Sequence, residues 1–231
     1  VALQLLDRYS DADCVPVMIG ALEDENSSVR SQAAELLAQT KDPRAYEPLA
    51  ALLLIDRGLA GKCLREIGSP ALEAVIPYVD HQDLQVQLAV INIVAEIGTD
   101  EAVAVLDQCL THPNPQVRHE TLRKLGDLAD PRTVSLVCKR LLSPEDRSRA
   151  GRCLVRMGSM VEETVILGLQ HSDPDVVREC CSVLQIVGTE KCLPALAKLL
   201  EEGSDSVQQH ALNAGRTIHQ RVSADADRAA K

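Results

Sequence analysis

Apolar residues in this chain recur at helical spacing, and the helical pattern itself recurs. Residues 115–129 (PQVRHETLRKLGDLA) carry Val117, then Leu125 and Leu128, then a small residue, Ala129, twelve places after the valine. The same skeleton returns over 83–98 with Val86, Val94, Ile97 and Gly98, and over 173–188 with Val176, Leu184, Val187 and Gly188. Weaker copies are anchored at Val29, Asp56, Asp146 and Val207, so that successive anchors stand 27, 30, 31, 29, 30 and 31 residues apart. With the anchor as zero, offsets 0, 4, 7, 8 and 11 fall within about 100° of one another on a helical wheel. These positions are mostly Val, Ala, Cys, Leu and Ile. One such helix cannot bury its stripe alone, and a period near 30 residues predicts helix pairs stacked on one another.

The pattern predicts seven pairs. First helices are expected over 13–22, 44–55, 71–79, 101–110, 132–142, 161–170 and 191–201. Second helices are expected over 29–39, 58–67, 84–97, 115–128, 145–157, 174–187 and 206–220. Asn26, Ser27 or Ser28 can cap the first of the second helices. Asp42-Pro43 places proline in a first turn, where its missing N–H costs nothing. Ser143 is expected to cap the helix that begins with Pro144-Glu145-Asp146. Gly68 and Gly98 are expected as left-handed helix ends, and Gly158 and Gly188 are assigned structural roles with them. Units two and five are compressed, with almost no loop between their helices. Residues 1–9 match the second half of a repeat helix. The expectation is therefore one repeat domain over 1–222 that begins within a truncated repeat, and a flexible tail over 223–231.

Composition narrows the function classes. Of 231 residues, 45% are hydrophobic, yet there are three Tyr and neither Trp nor Phe. Small branched side chains suit closely stacked helices and argue against base-stacking platforms. The net charge of -10 argues against non-specific nucleic-acid binding. No run of apolar residues reaches membrane-spanning length. The eight cysteines follow the repeat instead of a disulfide framework. Cys63 and Cys153 share offset seven, and Cys180 stands at offset four, where other copies have Ala33, Ala60, Ala150 and Ala211. Buried, reduced thiols and a cytoplasmic setting are expected.

The run D-P-x-V-R, followed by an apolar ladder and glycine, resembles the HEAT repeat, in particular the short bacterial variety also found in phycobilisome lyase subunits. Its best copies are Asn114-Pro115-Gln116-Val117-Arg118 and Asp173-Pro174-Asp175-Val176. The second has Val177 at the usual arginine offset and Arg178 one later, and the Asp56 and Asp146 copies lack the valine. The resemblance implies an all-α superhelical solenoid of about seven antiparallel helix pairs, with second helices lining a concave face. Such repeats serve many partners.

Arg30, Arg57, Arg118 and Arg147 share offset one and are expected to pair with loop carbonyls or nearby acids. His81, His112 and His171 share the offset five before the anchor, where unit one has Asp24. Neighbouring helix layers lie about 10 Å apart, too far for a shared metal, so a turn-capping role is expected. No cofactor or metal site and no catalytic set can be assembled. Offsets 2, 6 and 9 of the second helices, pointing away from the core, carry six basic residues and one acid: Lys62, Arg65, Arg123, Arg152, Arg178 and Arg216 against Glu35. Leu88 and Val155 share this face. The expected function is a non-catalytic, monomeric protein-binding scaffold whose second-helix face takes an acidic segment of another protein or of another domain of the parent chain. The alternatives are a subunit of a chromophore-lyase-like enzyme and a nucleic-acid-binding HEAT-like protein.

Overall fold

In the computed structural model, residues 14–229 are described, and among them every regular element is a helix. In chain order these are α1 (Val15–Gly20), α2 (Ser27–Thr40), α3 (Tyr46–Ala51), α4 (Arg57–Ile67), α5 (Leu72–Val75), α6 (Leu84–Ile97) and α7 (Asp100–Leu110). They continue as α8 (Pro115–Leu128), α9 (Val134–Arg140), α10 (Arg147–Met157), α11 (Glu162–Gly168), α12 (Pro174–Val187), α13 (Leu193–Glu202) and α14 (Asp205–Ala229). The expected second helices 84–97, 115–128 and 174–187 coincide with α6, α8 and α12. The expected helix over 1–9 lies outside the described residues. The last helix continues to Ala229, through the stretch read from sequence as a tail.

The chain divides into two compact units between Val117 and Arg118. In the first unit, α2, α4 and α6 pack in succession, while α3 packs on α5 in a second layer. The second unit repeats the scheme, with α10, α12 and α14 in one layer and α9 on α11 in the other. The core lies between the layers, where Leu37, Leu64, Val94, Leu125, Leu154 and Leu184, all at offset eight, are fully buried. Burying each of these side chains contributes about 2 kcal/mol.

The two layers differ in regularity. Several first helices are short α segments joined to 3₁₀ turns: Pro43–Ala45 and Leu52–Leu54 flank α3, Ser69–Ala71 and Ile76–Tyr78 flank α5, and Pro131–Thr133 precedes α9. Pro43, Pro70, Pro77 and Pro131 lie in these turns, and proline removes a helix donor and crowds the preceding turn. By contrast α7, which has no proline, runs unbroken from a Thr99 cap. Side-chain caps start most of the other long helices: Asn26 accepts from the Ser28 N–H at 2.9 Å, Asp83 from Gln85 at 2.8 Å and Asp173 from Asp175 at 2.8 Å.

The three histidines cap turns as expected. Nδ1 of His81, His112 and His171 accepts the N–H of Asp83, Asn114 and Asp173 respectively, each at 3.0 Å. Asp24 plays the same part for the Asn26 N–H at 2.7 Å. Gly68, Gly98 and Gly158 have positive φ, but only Gly98 (φ 64, ψ 18) is in the left-handed helical region. Gly188 is extended, at φ −68, and its glycine answers a different need. A Cβ there would meet the Leu184 carbonyl oxygen at 2.5 Å and Cys192 Sγ at 2.9 Å.

Cys63, Cys153 and Cys180 are buried in the core, and all eight cysteines are free thiols. Burial pushes Cys63 up to about 11 and Cys153 and Cys180 to about 12.

Candidate protein-binding face

The offset-one arginines tie their second helices to the preceding turn or to the next hairpin. Arg30 Nη1 donates to the carbonyls of Asp24 and Glu25 at 2.8 and 3.0 Å. Arg118 Nε donates to Asp146 at 2.9 Å and its Nη2 to Glu145 at 3.0 Å. Arg147 donates to the Leu141 carbonyl at 2.8 Å and to Asp173 at 2.8 Å. Arg30 thus meets carbonyls of its own turn, while Arg118 and Arg147 reach acids of the next hairpin.

Asp146 is the centre of the densest of these contacts. It is fully buried and receives Arg118 and, at 2.5 Å, Arg140, with His119 Nε2 3.5 Å away. Burial opposes its charge, but the hydrogen bonds from Arg118 and Arg140 prevail and hold the carboxyl below the ordinary range. The sequence assigned Asp146 to a helix first turn capped by Ser143. In the structure α10 begins only at Arg147, and no side chain caps it. Ser143 serves through its carbonyl, which accepts from Arg147 N–H at 2.8 Å. Asp146 is drawn inward because two guanidiniums converge on it.

The predicted partner-binding cations divide between the units. Lys62 and Arg65 belong to α4 in the first; Arg123, Arg152, Arg178 and Arg216 stand on α8, α10, α12 and α14 in the second. Most meet acids of the same face. Lys62 pairs with Glu35 at 2.6 Å and Arg65 with Glu96 at 2.9 Å. Arg123 lies between Glu120 at 2.5 Å and Asp127 at 2.9 Å. Arg178 pairs with Asp175 and donates to Ser206 Oγ at 2.9 Å. The charge excess read from offsets 2, 6 and 9 is therefore largely neutralised by acids at neighbouring offsets. Arg152 and Arg216 are exposed, with no carboxylate at ion-pair distance among the described residues.

Arg152 opens onto a groove of about 430 Å³ between α10 and α12, lined by Gly151, Val155, Glu179, Ser182 and Ile186 among others. Ile186 is 58% exposed at the groove, one of several large aliphatic side chains that this chain leaves at its surface. Glu179 lies against Gly151, where a Cβ would collide with its carboxylate. Burial raises the Glu179 carboxyl, and the charges of Arg152 and Arg147 oppose that rise. Sequence reasoning found Arg152 and Val155 and missed Gly151, Glu179 and Ile186. Glycine stands at offset five in both compressed units, as Gly61 and Gly151, where the other units have Ala34, Ile91, Leu122, Cys181 and Leu212. Among the described residues no group of three His, Cys, Asp or Glu could hold a metal ion, and no helix is long and apolar enough to cross a membrane.

Two layers of short, stacked helices with a repeating arginine contact define an α-solenoid repeat protein. The family model for HEAT repeats matches residues 1–59 and 140–214, more than half of the chain, and the chain belongs to that family. No curated protein matches it. Similar solved structures include an engineered protein, at 21% identity over 89% of this chain and 96% of that one, with a TM-score of 0.36. Human deoxyhypusine hydroxylase in complex with glycerol is similar at 19% identity over 95% and 89%, with a TM-score of 0.45. The complex of CpcE and CpcF of phycocyanin lyase from a Nostoc species is similar at 19% identity over 88% and 94%, with a TM-score of 0.40.

Proposed function

We propose that this chain is a non-catalytic protein-binding scaffold that receives its partner on the second-helix face, at the groove between α10 and α12. The observation that carries this reading is the juxtaposition of the exposed Ile186 and half-buried Val155 with Arg152, which has no carboxylate at ion-pair distance among the described residues. An apolar contact beside an exposed guanidinium that makes no direct ion pair suits a segment of another protein, or of another domain of the parent chain, that offers an aliphatic side chain and an acid. The ion-paired Lys62, Arg65, Arg123 and Arg178 set the charge pattern around such contacts more than they supply affinity, because a partner must compete with their present acids.

The test is comparative capture of cellular partners by the wild-type chain and by the double variant Arg152→Glu/Ile186→Asp. Both positions are exposed, so the fold should be retained within about 0.5 kcal/mol, and circular dichroism checks that. Loss of a specific partner by the folded variant supports the reading. A folded variant that keeps every wild-type partner overturns it.

A further inference from the structure

Offset one of the second helices carries Arg30, Arg57, Gln87, Arg118, Arg147, Val177 and Gln208 in turn, and hairpin six alone has an apolar side chain there. Where arginine stands at this offset, its acceptors recur in register. In its own turn the guanidinium takes carbonyls five or four places before the anchor: Asp24 and Glu25 for Arg30, and Leu141 for Arg147. In the next hairpin it meets acids at, or up to three places before, the following anchor. These are Asp83 for Arg57, Glu145 and Asp146 for Arg118, and Asp173 and Asp175 for Arg147.

At hairpin six the corresponding space, between its turn and hairpin seven, is a cavity of about 600 Å³. Its apolar floor includes Val177 of α12, Leu199 of α13 and Val207 of α14. Its rim falls in the register of the acceptors just named. His171 and Ser172 stand five and four places before the anchor Val176, and among the described residues no group donates to either carbonyl. Ser204 stands three places before the next anchor, Val207, and Glu202 brings a carboxylate to the same rim. Glu202 meets Lys198 at 3.6 Å, a loose pair with both side chains exposed. Arg178, one place after Val177, bonds instead to Asp175 and to Ser206 Oγ and does not line the cavity.

We propose that this cavity receives the side chain of an arginine presented by a basic segment of a partner protein. The aliphatic stem lies on Val177, Leu199 and Val207. The guanidinium donates to the carbonyls of His171 and Ser172 and to the Glu202 carboxylate, displacing Lys198. The occupant is argued from the chain itself: one hairpin earlier, Arg147 fills this position with its side chain only 11% exposed. A planar, weakly hydrated cation with five donors suits carbonyls and a carboxylate set around an apolar floor. The net charge of -10 favours the approach of a basic segment. The cavity shares no lining residue with the α10/α12 groove and asks for the opposite charge, so it does not depend on that site.

The probe is Nα-acetyl-arginine amide, which presents arginine as a chain does, titrated into the full chain while the methyl resonances of Val177 and Val207 are followed by NMR. Saturable shifts with a dissociation constant of about 1–10 mM are expected. The citrulline analogue, of the same shape without the charge, should bind at least about tenfold more weakly, and inorganic phosphate should give no saturable shift. Val177→Arg supplies the guanidinium from α12 itself and should abolish the response in a protein that keeps its helix content by circular dichroism. Glu202→Lys, at an exposed position, should weaken binding about fivefold, and it decides the matter if Val177→Arg fails to fold. Absence of saturable shifts up to about 50 mM probe, equal binding of the citrulline analogue or saturable shifts with phosphate overturns the inference. So does wild-type binding by folded Val177→Arg or by Glu202→Lys.

Discussion

The two compressed hairpins, α3/α4 and α9/α10, differ in what they do with the same residue. Both have aspartate at the anchor, Asp56 and Asp146, where the other five copies have valine. Asp56 caps α4, accepting from the Leu59 N–H at 3.0 Å. Asp146 caps nothing and is buried between Arg118 and Arg140. The position six before the aspartate explains the divergence: Ala50 in the first hairpin, Arg140 in the second. Arg118 completes the site from α8, whereas its counterpart Arg30 is occupied by carbonyls of its own turn. A charge at an apolar repeat position is thus tolerated in two ways, half-buried as a cap or fully buried as the centre of an ion-paired cluster.

The sharpest way to break this comparison is Asp146→Ala. It removes the buried anion shared by Arg118 and Arg140, leaving Arg118 only the exposed Glu145, and a loss of about 3–5 kcal/mol is expected from urea denaturation. Asp56→Ala removes a cap and should cost about 1 kcal/mol. Equal losses would mean that the buried cluster is no more than another cap.

The pH dependence of stability tests the buried cluster next. The folded state holds the Asp146 carboxyl below its ordinary value, so its contribution to stability is complete above pH of about 4. That contribution is lost as the pH falls through the lower folded value. An acid unfolding curve that is much flatter for Asp146→Ala than for wild type is the expected outcome.

Cys63 and Cys153 stand at the same offset of α4 and α10 and report on each hairpin separately. Burial pushes them up to about 11 and about 12, and neither thiol should react with a maleimide in the native state at neutral pH. Mass spectrometry should find that Asp146→Ala speeds labelling of Cys153 and leaves Cys63 protected. Labelling of both at one rate would join the two units in a single opening.

The smallest effect belongs to the exposed member of the arginine series. Arg57 lies 3.6 Å from Asp83, with both side chains nearly half exposed. Arg57→Ala should change stability by no more than about 0.5 kcal/mol, whereas Arg147→Ala, which loses a carbonyl and Asp173, should cost about 2 kcal/mol.

The second-helix layer was legible because its apolar ladder is continuous, and α6, α8 and α12 begin at Asp-Leu, Asn-Pro or Asp-Pro steps that cap without ambiguity. The first-helix layer was less so. Prolines within or just before its helices convert the expected single helix 71–79 into Ser69–Ala71, Leu72–Val75 and Ile76–Tyr78. The histidine turns were readable from register alone, since the same offset holds Asp24 in unit one. Asp146 was not, because its burial depends on Arg118 and Arg140, which converge only after folding. The basic face was readable as positions but not as charge. Glu35, Glu96, Glu120 and Asp127 share or flank its offsets, and which acid answers which cation is decided by stacking.

Arg221 has a mechanical consequence. Its guanidinium donates to the carbonyls of Gln185, Ile186 and Gly188 at the end of α12, with the Ile186 contact at 2.7 Å. Three acceptors at the end of one helix are thereby held by a side chain two-thirds of the way along another. A pull on the far end of α14 is delivered to α12 through these bonds, loading them together in shear. The turns of α14 before Arg221 are shielded from being peeled away one by one. Under load the last hairpin should yield in one step with α12, and Arg221→Ala should turn that step into a gradual unzipping.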